Sequence, residues 1–192
     1  MDRREAIKRA SILTGFTISS SATLGFLQGC SPTGKPSWPT RFLTDEEVSL
    51  VSAIAEFILP KTDTPGALDV HVPEFIDLML NDSYTHEEQQ LFRSGANDFQ
   101  NRIDEKYGQR FEKCKIEDKD NIISEEEQRS MNHFEKNYQR SFYLMVKEMT
   151  ILGYYTSEYV MTNLLDYNPI PGRYDGCISV DQKGKLYVDN NV

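Results

Sequence analysis

An all-α architecture, a compact helical domain of about five helices with an irregular or short hairpin C-terminal tail, is expected from three features of this chain. Apolar residues recur at helical spacing through most of residues 44–165. Ser/Thr-x-x-Glu boxes at Thr44–Glu47, Thr85–Glu88 and Ser124–Glu127 mark helix N-termini, because each can exchange two hydrogen bonds there. Alternation of period two is confined to the end of the chain.

Residues 1–29 stand outside that domain. Arg3 and Arg4, followed by an apolar stretch diluted by Ser, Thr and Gly, resemble a twin-arginine export signal, with Ala6 where such signals usually carry Phe. Leu27-Gln28-Gly29-Cys30 resembles a lipobox, in which the leader is cut before a cysteine that becomes lipidated. The run is too short and interrupted to span a bilayer comfortably. The expected product is a periplasmic, membrane-anchored lipoprotein, with 30–43 as a Pro-rich flexible tether and 44–192 as the domain.

The leader carries four basic and two acidic residues, so its removal takes the net charge from −9 to −11. That balance disfavours nucleic acid and anionic lipid surfaces, which need clustered positive charge.

Thr44 caps a first helix whose Val48, Val51, Ile54, Ala55 and Ile58 share a face up to Pro60. Lys61 to His71 is a loop rich in Thr, Asp, Pro and Gly. Pro73 opens a second helix with Phe75, Ile76, Met79 and Leu80 inward. Thr85 caps a third, carrying Leu91, Phe92, Ala96, Phe99, Ile103 and Tyr107 to a C-cap at Gly108. Ser124 opens a long helix with Met131, Phe134, Tyr138, Phe142, Met145, Val146, Met149 and Leu152 on its apolar side. Ser157 caps a short last helix through Leu165. Cys177–Val180 and Lys185–Val188 form a hairpin or an arm, and a hairpin of that size is marginal by itself.

The most unusual stretch is Leu152–Cys177, LGYYTSEYVMTNLLDYNPIPGRYDGC. Pro169 and Pro171 fix φ and restrict the residues before them, giving a stiff exit from a tyrosine-rich helix end. Tyr and Arg are enriched where interface energy concentrates, so Tyr154, Tyr155, Tyr167, Pro169, Pro171, Arg173 and Tyr174 are candidate partner contacts. Equally, the tyrosines could pack on the domain's own core.

That stretch, together with AEFILPKTDTPGALDVHVPEFIDLML at Ala55–Leu80, resembles the gluconate 2-dehydrogenase subunit 3 family. The resemblance implies a small exported subunit of a flavin-dependent, membrane-associated dehydrogenase acting on sugars, sugar acids or glycosides. It implies a GMC-type flavoprotein as catalytic partner, FAD in that partner, and room for a cytochrome c subunit. A partner that acquires its cofactor in the cytoplasm would also explain a signal of the folded-cargo type.

Cofactor, metal and catalytic motifs are missing from the chain. There is no GxGxxG, no CxxCH and no GxSxG. His86-Glu87 is followed by Gln90 where zinc would need a second His, and Asp118–Asn121 lacks the glycine and distal glutamate of a calcium loop. His71, beside Asp69, reads as a hydrogen-bonding loop residue. No redox cofactor is expected in this chain. In an oxidising compartment Cys114 and Cys177 could pair with each other, or Cys177 with a partner chain. The competing function is a stand-alone lipoprotein that binds a small ligand in a helical groove lined by Phe142, Met145, Met149 and the tyrosines.

Overall fold

A computed structural model describes residues 36–137, 139–168 and 186–189. Five α-helices are found among them: α1 (Asp45–Ile58), α2 (Val72–Asp82), α3 (His86–Tyr107), α4 (Ile116–Asn137) and α5 (Phe142–Tyr155). A 3-10 turn at Phe111–Lys113 joins α3 to α4, and a π-helical turn at Val160–Leu164 follows α5. The expected all-α domain is therefore the observed one.

Two of the three boxes start helices as expected. The Thr44 hydroxyl accepts from the Glu47 N–H at 3.2 Å, and Glu47 Oε2 accepts from the Thr44 N–H at 2.9 Å. Thr85 and Glu88 repeat the exchange at 3.3 and 2.9 Å. The Thr85 N–H first, and then the Thr85 hydroxyl, which donates to Glu88 Oε2 at 3.0 Å, hold the Glu88 carboxyl below its usual range. Gly108 ends α3 in the left-handed conformation at φ 66°.

The third box is a false start. α4 begins at Ile116, eight residues earlier in number than Ser124, with Glu117 and Asp118 favourably placed against the positive end of the helix dipole. The expected long helix also breaks before Ser141, whose hydroxyl caps α5 by accepting from the Leu144 N–H at 3.2 Å. Ser141 donates to Ser130 at 2.7 Å, so the cap is itself fastened to α4. Met131 and Leu152, expected inward, are 46% and 48% exposed because the break rotates the stripe out of register.

α5 is the centre of the domain and packs on each of the other four helices. Val146 is fully buried and Phe142, Met145 and Met149 are 2–4% exposed. Phe142 meets Phe92 edge-on at 5.0 Å and Phe99 at 5.7 Å, and Phe99 meets Phe111 at 5.6 Å. Phe142, Met145 and Met149 are thus core residues, which corrects their assignment to a ligand groove.

The compact unit begins at Pro36, so the end of the expected tether belongs to the fold. Leu43 is buried, and Trp38 and Phe42 pack on the core. Asp77, on α2 and fully buried, accepts the backbone N–H groups of Arg41, Phe42 and Leu43 at 2.8, 2.9 and 2.7 Å. Arg93 closes the arrangement from α3. It donates to the Phe42 carbonyl at 2.7 Å, lies 4.3 Å from the Phe42 ring centroid, and reaches Glu47 at 3.2 Å. A carboxylate this deep persists because backbone donors replace its water.

After the π-helical turn the chain becomes strand β1 (Leu165–Asn168), paired in parallel with β2 (Leu186–Asp189). Leu165 pairs with Leu186 and Tyr167 with Val188. Leu165, 7% exposed, roots β1 in the core and offers β2 a fixed edge. Residues 177–180 lie outside the described residues.

Asp77→Ala is expected to lower unfolding free energy by about 2–3 kcal/mol, measured by urea denaturation, and to expose residues 36–43 to limited proteolysis. An unchanged midpoint and an unchanged cleavage pattern would show that the three hydrogen bonds carry no net stability.

Candidate functional site

The Ala55–Leu80 stretch and the start of the Leu152–Cys177 stretch, far apart in sequence, meet across the α2–α5 contact. A β-carbon on Gly153 would lie 2.6 Å from Cδ1 of Phe75, so glycine sets how closely α5 approaches α2. One residue on, the Tyr154 hydroxyl donates to the Pro65 carbonyl at 2.9 Å. Tyr154 is 8% exposed and belongs to the core, so it is not available as a partner contact.

The loop that Tyr154 holds is tightly organised. Ala67 N–H donates to the Leu59 carbonyl at 2.9 Å, and Val72 N–H to the Ala67 carbonyl at 3.0 Å. Asp69 accepts from the Gly66 N–H and from Lys61 Nζ, both at 3.0 Å. A β-carbon on Gly66 would meet the Lys61 nitrogen at 2.6 Å, a backbone contact that cannot yield. The Gly66 N–H first, then Lys61, holds the Asp69 carboxyl below its ordinary 3.8. His71 ends the loop at φ 60°, the one non-glycine residue at positive φ among the described residues. Such a backbone costs about 1 kcal/mol, and the hydrogen-bonded loop imposes it.

Ser157 stands directly before the expected short last helical segment, and its carbonyl accepts from the Met161 N–H at 3.0 Å, but its side chain is engaged elsewhere. Its hydroxyl donates back to the Tyr154 carbonyl at 2.7 Å, and with Thr156 it makes the bend after α5. Between this bend and the loop lies a cleft of about 600 Å³, with Asp63, Asp69 and His71 on one wall and Glu158 and Tyr159 on the other.

Beside the cleft α5 comes to the surface. Ile151, Leu152, Tyr155 and Tyr159 are 40–48% exposed. Leu152 and Tyr155 share a helix face by spacing, and Tyr159 follows about a turn later. Tyr155 stands edge-on against buried Tyr154 with centroids 5.6 Å apart, which fixes its ring. Tyr167, on β1, is half-buried.

Of the other sequence-derived residues, Arg3, Arg4, Cys30, Pro169, Pro171, Arg173, Tyr174 and Cys177 lie outside the described residues. Cys114 is a buried free thiol that donates to the Arg110 carbonyl at 3.5 Å. Burial first, and then Asp118, pushes its pKa up, so it stays protonated and is a poor nucleophile. His86 faces Gln90 at 3.0 Å on the exposed flank of α3. Among the described residues no group of three or more His, Cys, Asp or Glu side chains is placed to hold a metal ion, and no helix is long and apolar enough to cross a membrane.

Over residues 45–172 the chain matches the family described as gluconate 2-dehydrogenase subunit 3. The chain belongs to that family. No curated protein and no solved structure matches it. The subunit 3 match takes in all five helices, the loop and the cleft, and so covers both stretches on which the resemblance rests up to Gly172. Sequence reasoning missed Asp63, Glu158 and the exposed Leu152 in this site. The available signal was the position of Glu158, three residues after Tyr155 and next to Tyr159.

The Asp69 contacts should be present above its ordinary value of 3.8 and be lost as pH falls through the lower folded-state value. The protection of the Gly66 amide, its exchange relative to the intrinsic rate at each pH, is therefore expected to hold at pH 5 and above and to fall only in stronger acid. Loss of protection already between pH 7 and 5 would show that another group holds the loop.

Proposed function

We propose that this chain is the non-catalytic small subunit that exports, stabilises and anchors a flavin-dependent, GMC-type dehydrogenase acting on sugars, sugar acids or glycosides. Membership of the subunit 3 family supports the assignment to such a complex. The observation that carries the docking role is the exposed strip of Leu152, Tyr155 and Tyr159, where large apolar side chains gather within eight residues at the end of α5 and beside the rigid loop. Exposed aromatic and aliphatic side chains held in fixed positions lose little entropy on binding.

In this reading FAD resides in the catalytic partner, and a cytochrome c subunit is a further member of the complex. The mature chain sits in the periplasm on a lipid at Cys30. Arg3 and Arg4 form the export signal for both chains, since a twin-arginine route carries folded cargo with its cofactor in place. Cys177, Arg173 and Tyr174 extend the contact surface from the strip.

Tyr155→Ala with Tyr159→Ala is expected to remove most of the dehydrogenase that co-purifies with the tagged chain, while the variant keeps its thermal midpoint within about 2 °C. Undiminished co-purification would mean that the strip is not the docking surface. Arg3→Lys with Arg4→Lys should leave sugar-dehydrogenase activity in the cytoplasmic fraction, and normal periplasmic activity would refute the escort role.

A further inference from the structure

The cleft beside the tyrosine strip has a charge pattern that the docking role alone does not use. Lys61 is committed to Asp69 at 3.0 Å, on the cleft wall. Asp63 and Glu158 also line the cleft, are exposed, and form no ion pair among the described residues. Tyr159, next to Glu158 on the same wall and 45% exposed, offers an aromatic ring to whatever enters. Two unneutralised carboxylates and an aromatic face match a planar cation that donates hydrogen bonds along two edges and stacks.

We propose that the cleft receives an arginine side chain of the catalytic partner, paired with Asp63 and Glu158 and stacked on Tyr159, while apolar residues flanking that arginine cover Leu152 and Tyr155. This inference rests on the docking surface proposed above and names the chemistry of its occupant. Three features of the chain favour it. Tyr159 belongs both to the cleft lining and to the exposed strip, so one segment of a partner that enters the cleft meets the strip at that residue. The loop wall is held by contacts within the chain, since the Tyr154 hydroxyl donates to the Pro65 carbonyl and Asp69 accepts from the Gly66 N–H. The chain carries a net charge of −9, which draws a basic surface toward it before contact. Arginine suits the site better than lysine, because its flat guanidinium can meet two carboxylates and a ring at once.

The test uses the co-expressed complex, with the dissociation constant measured against sodium chloride concentration for the native chain, for Asp63→Asn with Glu158→Gln, and for Tyr155→Ala with Tyr159→Ala. Both acidic positions are exposed, so thermal melts should verify an intact fold. Binding of the native chain is expected to weaken as salt rises. The amide pair should bind about tenfold more weakly at low salt and show a flatter salt dependence. Asp63→Lys with Glu158→Lys should bind more weakly still.

Native affinity and an unchanged salt slope in the amide pair, with binding lost in the alanine pair, would overturn the arginine while leaving the docking surface standing. Retention of full affinity in the alanine pair as well would remove the docking surface and the arginine together. Dimerisation of the isolated chain through this face, seen by sedimentation and abolished by the alanine pair, would assign the strip to a second copy and overturn the proposal.

Discussion

The organisation of the domain follows from α5, a helix that carries apolar side chains on nearly every face. Such a helix is stable in water only when it is wrapped, and α1 to α4 supply the wrapping. The aromatic contacts among Phe92, Phe99 and Phe142 close it on the α3 side, and Gly153 admits Phe75 on the α2 side. The wrapping ends before the helix does. Its last turn therefore leaves Ile151, Leu152 and Tyr155 bare, which is the physical origin of the surface assigned to partner binding. Exposed apolar area at the end of a buried helix costs solubility for the free chain and is recovered when that area is covered.

The loop between α1 and α2 complements this surface by being rigid rather than adaptable. A polar loop of that composition would ordinarily sample many conformations. Here Asp69 gathers Gly66 and Lys61, Gly66 packs on backbone, and His71 accepts a left-handed conformation so that α2 can begin in place. The ordering is completed during folding, so little of it remains to be done on binding. Tyr154 ties the two halves of the site into one piece, which explains how a buried tyrosine and an exposed one can occupy adjacent positions with different tasks.

Much of this architecture was legible in the sequence where the signals are local. Thr44 with Glu47 and Thr85 with Glu88 are read correctly because a capping box involves only residues three apart. Ser124 is misread because the same pattern also occurs inside a helix, where serine and glutamates simply face outward or toward a neighbouring helix. There Glu126 instead pairs with Arg102 at 2.8 Å. The docking of residues 38–43 was obscured by Pro39 and the prolines before it, although Leu43 and Val48 stand at the staple positions around the Thr44 cap and both are buried. Asp77 could not be anticipated as their acceptor, since its partners lie 34–36 residues away. The cleft was equally hidden: its walls are assembled only when α5 crosses α2, a pairing that no spacing along the chain encodes.

The attachment of residues 41–43 to Asp77 also decides where mechanical load arrives in this molecule. Tension applied along the chain from before Pro36 would be borne by three short hydrogen bonds ending on the middle of α2, reinforced by Arg93, before any of it reached α1. Since α2 is also the helix clasped by α5 at Gly153, a tug on the N-terminal end is passed to the body as a whole and spares its outermost turn from being peeled away.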